Sequence, residues 1–234
     1  SYGSKQVLFD VNLAIQKNKS IGIVGESGAG KTTLFDIITG LLTPQSGKIF
    51  IDGIDCSKLE LSSLRNIIGY VTQEPVIFND TIANNISFWE CKSQEGPCKK
   101  MIKDAAILAN CDRFINEAEM GYETIIGDKG IKLSGGQRQR IAIARELFKE
   151  PEIMIFDEAT SALDTESEQL IQQSINSLKG ERTIVIIAHR LSTVRKCDYI
   201  YVLKEGRIVD EGSFDELRKD KNSIFSKMCQ AQNL

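Results

Sequence analysis

One stretch, Gly25-Glu26-Ser27-Gly28-Ala29-Gly30-Lys31-Thr32-Thr33, narrows what this chain can fold into more than any other. The apolar run Ile21-Gly22-Ile23-Val24 before it reads as a buried parallel strand, and Leu34-Phe35-Asp36-Ile37-Ile38 after it has helical spacing. Strand, glycine loop and helix together turn a G-x-x-x-x-G-K-T match into a phosphate-binding loop. Polyphosphate brings several negative charges that must be met without bulk water. Gly28 and Gly30 carry no Cβ, so the backbone can close on a ligand. The amides from Ser27 to Thr33 then point at phosphate oxygens, and the helix adds its positive end. In this motif Lys31 reaches the β- and γ-phosphates and the Thr32 hydroxyl ligates Mg2+. The competing reading is a bare glycine turn between strand and helix, against which both flanks argue.

The rest of the composition sets bounds. A chain of 234 residues suits one large α/β domain or two small ones, with a core that needs no staples. A net charge of -3 is a poor footprint for nucleic acid, and no nucleic-acid partner is expected. No apolar stretch approaches a bilayer span, and no secretory signal opens the chain. Six cysteines, at 56, 91, 98, 111, 197 and 229, include no C-x-x-C pair, and there is one histidine. Zinc and iron–sulfur sites are therefore not expected. Cys91 and Cys98 can pair, but reduced thiols in a reducing compartment are the expectation.

Along the chain, Val7 to Ile15 alternates Leu8, Val11, Leu13 and Ile15 with polar residues, which predicts a half-buried strand. Little precedes it, so a piece of a longer chain is expected. Lys48 to Gly53 reads as a short strand between two turns, and Gly69 to Gln73 as another. From 80 to 150 the strand signals vanish, and Ile102, Ala105, Ala106 and Ala109 recur with helical spacing. Glu152-Ile153-Met154-Ile155-Phe156-Asp157 reads as a continuous apolar run ending in acid, as a central parallel strand ends. Asp164 opens a helix, Arg182 to Ile187 is a buried strand delivering His189, and Tyr199 to Val209 forms a hairpin. The tail from Phe214 reads helical.

Three further constellations carry chemistry. Asp157, at a strand end, is placed to hold Mg2+ through water, and Glu158 beside it to take a proton from an attacking water. Two solvated acids are the plain alternative. Gly25, Gln73, Asp157 and His189 all follow strands, and ligands of open α/β sheets bind beyond strand carboxyl ends. His189 is thereby read as a γ-phosphate contact, with a purely structural histidine as the alternative. Finally, Ser134-Gly135-Gly136-Gln137 precedes a helical run and offers a second anion site. No second lysine loop accompanies it, so it is expected to serve another subunit's nucleotide in a two-fold, head-to-tail dimer. On local sequence alone, Ser134 is equally a helix N-cap.

These stretches together resemble the nucleotide-binding domain of an ABC transporter over essentially the whole chain. The matches are GESGAGKTT, Gln73 in VTQEPVIF, LSGGQRQRIAIAR, IMIFDEATSALD and His189 in IIAHRLSTV. The resemblance implies an α/β P-loop NTPase core with a mostly parallel sheet, an antiparallel β portion and a helical subdomain insertion. The expected divisions are 1–79, 80–150 and 151–234, the middle one helical. It also implies ATP and Mg2+ as ligands, Tyr2 stacked on adenine, Gln73 sensing Mg2+ and a transmembrane partner, and Asp164 communicating across the dimer. A transmembrane domain of the same full-length chain would dock near Glu74 to Asn85. Thr124 to Gly130 and HRLSTVRKCDYIYVLKEGRIVDEG resemble the exporter version of the family. The implied activity is ATP hydrolysis driving an exporter or flippase, on the cytoplasmic face of a bacterial inner membrane.

Two other readings share the motifs. DNA-repair ATPases of this type carry long coiled coils between phosphate loop and signature, where this chain has about a hundred residues without sustained heptads. Translation-type ABC proteins carry two such domains in one chain. The transported substrate is not written in this domain.

Overall fold

A computed structural model of the chain describes residues 6–91, 96–160 and 163–232. Tyr2 lies outside them. From the N-terminus come strand β1 (Ser20–Val24), helix α1 (Lys31–Ile38), short strands β2 (Phe50–Ile51) and β3 (Ile54–Asp55), helix α2 (Leu61–Ile67) and strand β4 (Ile68–Val71). Helices α3 (Ile82–Ser87), α4 (Pro97–Leu108), α5 (Asp112–Asn116) and α6 (Gly135–Phe148) follow. Then come β5 (Ile153–Asp157), α7 (Thr165–Ser177), β6 (Thr183–Ala188), α8 (Leu191–Val194) and the hairpin β7 (Tyr199–Lys204) with β8 (Arg207–Gly212). Helices α9 (Phe214–Lys219) and α10 (Ile224–Ala231) complete the order. The class is the expected one, α/β with a mostly parallel sheet and a small antiparallel pair.

The chain divides into two compact units. The first comprises Ser1–Ile68, Glu152–Ile155 and Gly180–Leu234. Its strands run in the order β6-β1-β7-β8. β1 lies parallel to β6, with Val24 opposite Ala188, and parallel to β7, with Val24 opposite Val202. Every residue of β1 and β6 is buried, which is why both read as continuous apolar runs rather than alternating ones. Only β8, antiparallel on the outer side of β7, alternates exposed with half-buried positions.

The segment predicted as a strand over 7–15 forms no strand ladder in the structure. The alternation correctly marks its faces, since Asp10, Asn12 and Ala14 are exposed and Val11, Leu13 and Ile15 half-buried. A ladder also needs a neighbouring strand, and this backbone bonds elsewhere. The Phe9 N–H donates to the Gly206 carbonyl at 2.8 Å. At Ala14 the Tyr201 hydroxyl serves both backbone groups, accepting from the N–H at 3.1 Å and donating to the carbonyl at 2.9 Å. A cavity of about 950 Å3 runs along this segment, lined by Leu13, Ile15, Ile37, Ile49 and Val185 among others.

The second unit comprises Gly69–Pro151 and Phe156–Lys179. It holds α3 to α7 and, as neighbours in strand order, most of β4 with the end of β5. Ile102, Ala105, Ala106 and Ala109 are buried as their spacing predicts. On α7, Ile171 and Ile175 point inward from the same face. A Cβ on Gly136 would collide with the Ser167 side chain, so the start of α6 lies closely against α7. One expectation is corrected here. Cys91 and Cys98 are joined as a disulfide, their Cα atoms 6.0 Å apart, within the usual span of such bridges. Of the other cysteines, Cys56, Cys111 and Cys229 are free thiols.

Candidate functional site

The phosphate loop belongs to the first unit. Gly25 follows the pair Val24–Ala188, so the loop leaves β1 beside the point where His189 leaves β6. A side chain at Gly25 would strike the Leu203 carbonyl oxygen of β7. Gly28 and Gly30 have φ of 80° and 103°, left-handed values that glycine adopts without penalty. The loop is braced from both sides. Its Ala29 N–H donates to the Glu26 carbonyl at 3.2 Å, and the Gly206 N–H donates to the Ala29 carbonyl at 3.0 Å. Glu26, Ser27 and Gly28 are exposed at its crest.

Lys31 is only 6% exposed, which is rare for an ammonium. Its Nζ donates to the carbonyls of Gly25 at 2.8 Å and Glu26 at 3.0 Å. The cation is thus folded back inside the loop it follows. Gly30 is the N-cap of α1 and contributes no side-chain cap bond. An α-helix start has amides with no intrahelical acceptor, and a glycine cap has no side chain to offer them. Thr32 is exposed and Thr33 is buried. A buried cation, a left-handed glycine crest and a glycine-capped helix start together suit an anion with several oxygens.

His189 is exposed just past β6. Its turn is clamped from α10's end by Gln232, whose Nε2 donates to the His189 carbonyl at 2.9 Å. The Leu191 N–H donates back to Gln232 Oε1 at 2.9 Å. Sequence reasoning passed over Gln232, since a glutamine in a polar tail carries no local signal.

Met154, Ile155 and Phe156 are fully buried immediately before Asp157, which belongs to the second unit. Burying each such side chain stabilises by about 1.5–3 kcal/mol, so the strand cannot slide and the carboxylate is fixed at its end. The Tyr70 hydroxyl donates to Asp157 Oδ2 at 2.9 Å. Glu158 has φ of 48°, a left-handed conformation uncommon outside glycine, and it turns the chain sharply after the acid. Gln73 is exposed beyond β4, and the backbone before it is pinned by Gln139, whose Nε2 donates to the Thr72 carbonyl at 2.9 Å. Asp164 caps α7, with Oδ1 accepting from the Ser167 N–H at 2.9 Å. That backbone bond chiefly holds its carboxyl below the usual carboxylate range.

Ser134 turns out to be an N-cap. Its Oγ accepts from the Gln137 N–H at 3.2 Å, and Gln137 Oε1 accepts from the Ser134 N–H at 2.8 Å, a complete capping box. Ser134 is exposed, Gly135 and Gln137 half-buried and Gly136 buried. The helix that follows carries an anchor that the sequence did not advertise. Arg145 is 8% exposed, and burial pulls its guanidinium below its ordinary value. Its Nε donates to the Asn85 carbonyl and its Nη1 to the Val76 carbonyl, each at 2.7 Å, and its Nη2 to Asn85 Oδ1 at 3.1 Å. The Phe78 and Phe88 rings lie 5.5 and 5.6 Å from the guanidinium carbon. The stretch Glu74 to Asn85 is therefore tied to α6 by one buried cation, while Val76 is 63% exposed and Trp89 44%.

Among the described residues no group of three or more His, Cys, Asp and Glu side chains could cage a metal ion. The donors offered, the Asp157 carboxylate and the Thr32 hydroxyl, are hard oxygens of the kind Mg2+ prefers. No helix among the described residues is long and apolar enough to cross a membrane.

Comparison with known proteins places this geometry. The family model for "ABC transporter" matches residues 8–161. The chain is 47% identical to an ATP-dependent lipid A-core flippase of Desulfotalea psychrophila, over 94% of this chain and 38% of that protein. It is 46% identical to the toxin RTX-I translocation ATP-binding protein of Actinobacillus pleuropneumoniae, over 97% of this chain and 32% of that one. Among solved structures, a bacterial Atm1-family ABC exporter with ATP bound superposes with a TM-score of 0.91 at 38% identity. That match covers 100% of this chain and 41% of the exporter. The chain spans less than half the length of these relatives.

Proposed function

The chain belongs to the ABC transporter family, and from that premise we propose that it is the ATP-hydrolysing motor domain of an exporter or flippase. The observation that carries the reading is the start of α1, capped by a left-handed glycine and led by the buried Lys31 ammonium. Such an end has donors and charge for a polyphosphate.

Within this reading each residue has a role. The amides from Ser27 to Thr33 and the Lys31 ammonium bind the β- and γ-phosphates. Thr32 and Asp157 would hold Mg2+, which would neutralise phosphate charge, and Gln73 would sense it. Glu158 takes the proton of the attacking water, and its left-handed backbone sets the direction of that carboxylate. His189, beside the loop's origin, contacts the γ-phosphate. Ser134 to Gln137 of a second copy complete the site, and Asp164 relays between copies. The segment Glu74 to Asn85 receives a transmembrane domain. In support of that, Val76 is exposed while the backbone around it is locked to α6 through Arg145. The domain then sits on the cytoplasmic face of a membrane.

The test is Glu158→Gln, which keeps volume and most hydrogen bonding but loses basicity. ATP binding is expected to persist while turnover falls by about a hundredfold or more, the contribution of a positioned base. Mg-ATP should then trap a dimer visible by light scattering. Turnover within about threefold of the parent would remove Glu158 from the base role.

A further inference from the structure

We infer that Tyr70 is a positioning residue for the Asp157 carboxylate, and that its hydroxyl tunes how tightly the nucleotide site takes a divalent cation. The inference rests on the reading that Asp157 holds the metal.

A carboxylate at a strand end rotates freely about its last side-chain bond, because that torsion has broad wells. A donor fixed to one oxygen sets the plane of the group and the direction of the other oxygen. Tyr70 is such a donor, with its hydroxyl 2.9 Å from Asp157 Oδ2. A hydrogen bond to an ionised acceptor is among the stronger ones.

The donor itself is held still. Gly69 and Val71 on either side are buried in β4, and Tyr70 is half-buried. Just beyond, the Gln139 side chain grips the Thr72 carbonyl at 2.9 Å, so the end of β4 cannot fray. On the acceptor side, three fully buried residues fix β5 up to Asp157, and Glu158 turns away with φ of 48°. Backbone and donor are both held in place, so the Tyr70 hydrogen bond fixes the direction of Asp157 Oδ2. Mg2+ and its congener Mn2+ bind in near-octahedral geometry and tolerate little misdirection. Phenylalanine at this position would keep the ring, the packing and the strand, and would delete only the oxygen.

The experiment compares ATP affinity by titration calorimetry in Mn2+ and in a chelator, for the parent, Tyr70→Phe and Asp157→Asn. The parent should bind ATP more tightly with Mn2+, and Asp157→Asn should lose that gain. Tyr70→Phe should keep the metal-free affinity and thermal stability of the parent, yet lose about five- to tenfold of the Mn2+-dependent gain. A full gain in Tyr70→Phe would overturn the positioning role while leaving Asp157 as the metal acid. An equal loss with and without Mn2+ would also overturn it, because a merely structural residue weakens both. No gain in the parent, or a gain that survives in Asp157→Asn, would instead overturn the reading of Asp157 on which the inference stands.

Discussion

Two helices in this domain begin at a glycine-rich turn, and they begin in opposite ways. At α1 the cap is Gly30 in a left-handed conformation, which has no side chain to offer the helix amides. At α6 the cap is Ser134, and a full capping box with Gln137 occupies amides on both sides of the turn. Lys31 is buried against the carbonyls of the first turn's loop, whereas at the second turn the cation that folds back is Arg138, half-buried, with Nη1 donating to the Leu133 carbonyl at 2.7 Å. The difference is one of self-sufficiency. The α6 start is a finished local structure that holds its shape without a ligand. The α1 start keeps donors that a ligand can use. Similar composition at two helix starts therefore gives two local structures, one capped by a left-handed glycine and one closed by its own side chains.

The largest effect that bears on this contrast is expected from Gly135→Asp. A Cβ at that position meets only Leu163 Cδ2 at 3.3 Å and Arg138 Nη2 at 3.9 Å, so the variant should fold with small adjustments. If this surface faces a γ-phosphate on a second copy, the new carboxylate meets like charge in a partly dry crevice. At an effective dielectric of about 20 that repulsion is several kcal/mol. Steady-state hydrolysis should fall by about a hundredfold or more, and ATP-dependent dimerisation with it. Hydrolysis near the parental rate would reduce the Ser134 segment to a helix cap.

A smaller effect is expected from Lys31→Ala. Hydrogen bonds to charged groups contribute roughly 1.5–3 kcal/mol each, so losing the ammonium should weaken a fluorescent ATP analogue by about tenfold or more. Unchanged affinity would mean the backbone amides alone define the site. The smallest effect belongs to the cap itself. Ser134→Ala should cost about 1 kcal/mol of stability without ligand. In a domain of this size that is a fall in melting temperature of about 2–4 °C. No change would mean the capping box is not formed in solution.

Much of this was legible in the sequence because the informative features are local. β1, β5 and β6 are buried on both faces, so they appear as apolar runs, and the residues that carry chemistry follow them directly. The Ser134 cap could also be foreseen, since a serine three residues before glutamine is a local code. The features that escaped are all long-range. The 7–15 segment has the alternation of a strand, yet its hydrogen bonds go to Gly206 and to the Tyr201 hydroxyl. Tyr70 and Asp157 are 87 residues apart, and Arg145 lies 60 residues from the Asn85 groups it binds. Nothing near either arginine or tyrosine in sequence marks the partner. The Cys91–Cys98 bridge went against the expectation of reduced thiols, because spacing alone does not say whether two cysteines face each other.

The contrast between the two helix starts is tested most directly by titrating ATP into Lys31→Ala and Gly135→Asp side by side, at protein concentrations too low for dimerisation. The account predicts that Lys31→Ala loses most of its affinity and that Gly135→Asp binds ATP as the parent does. Equal losses in the two variants would contradict it, because the Ser134 segment would then be acting on the nucleotide of its own chain.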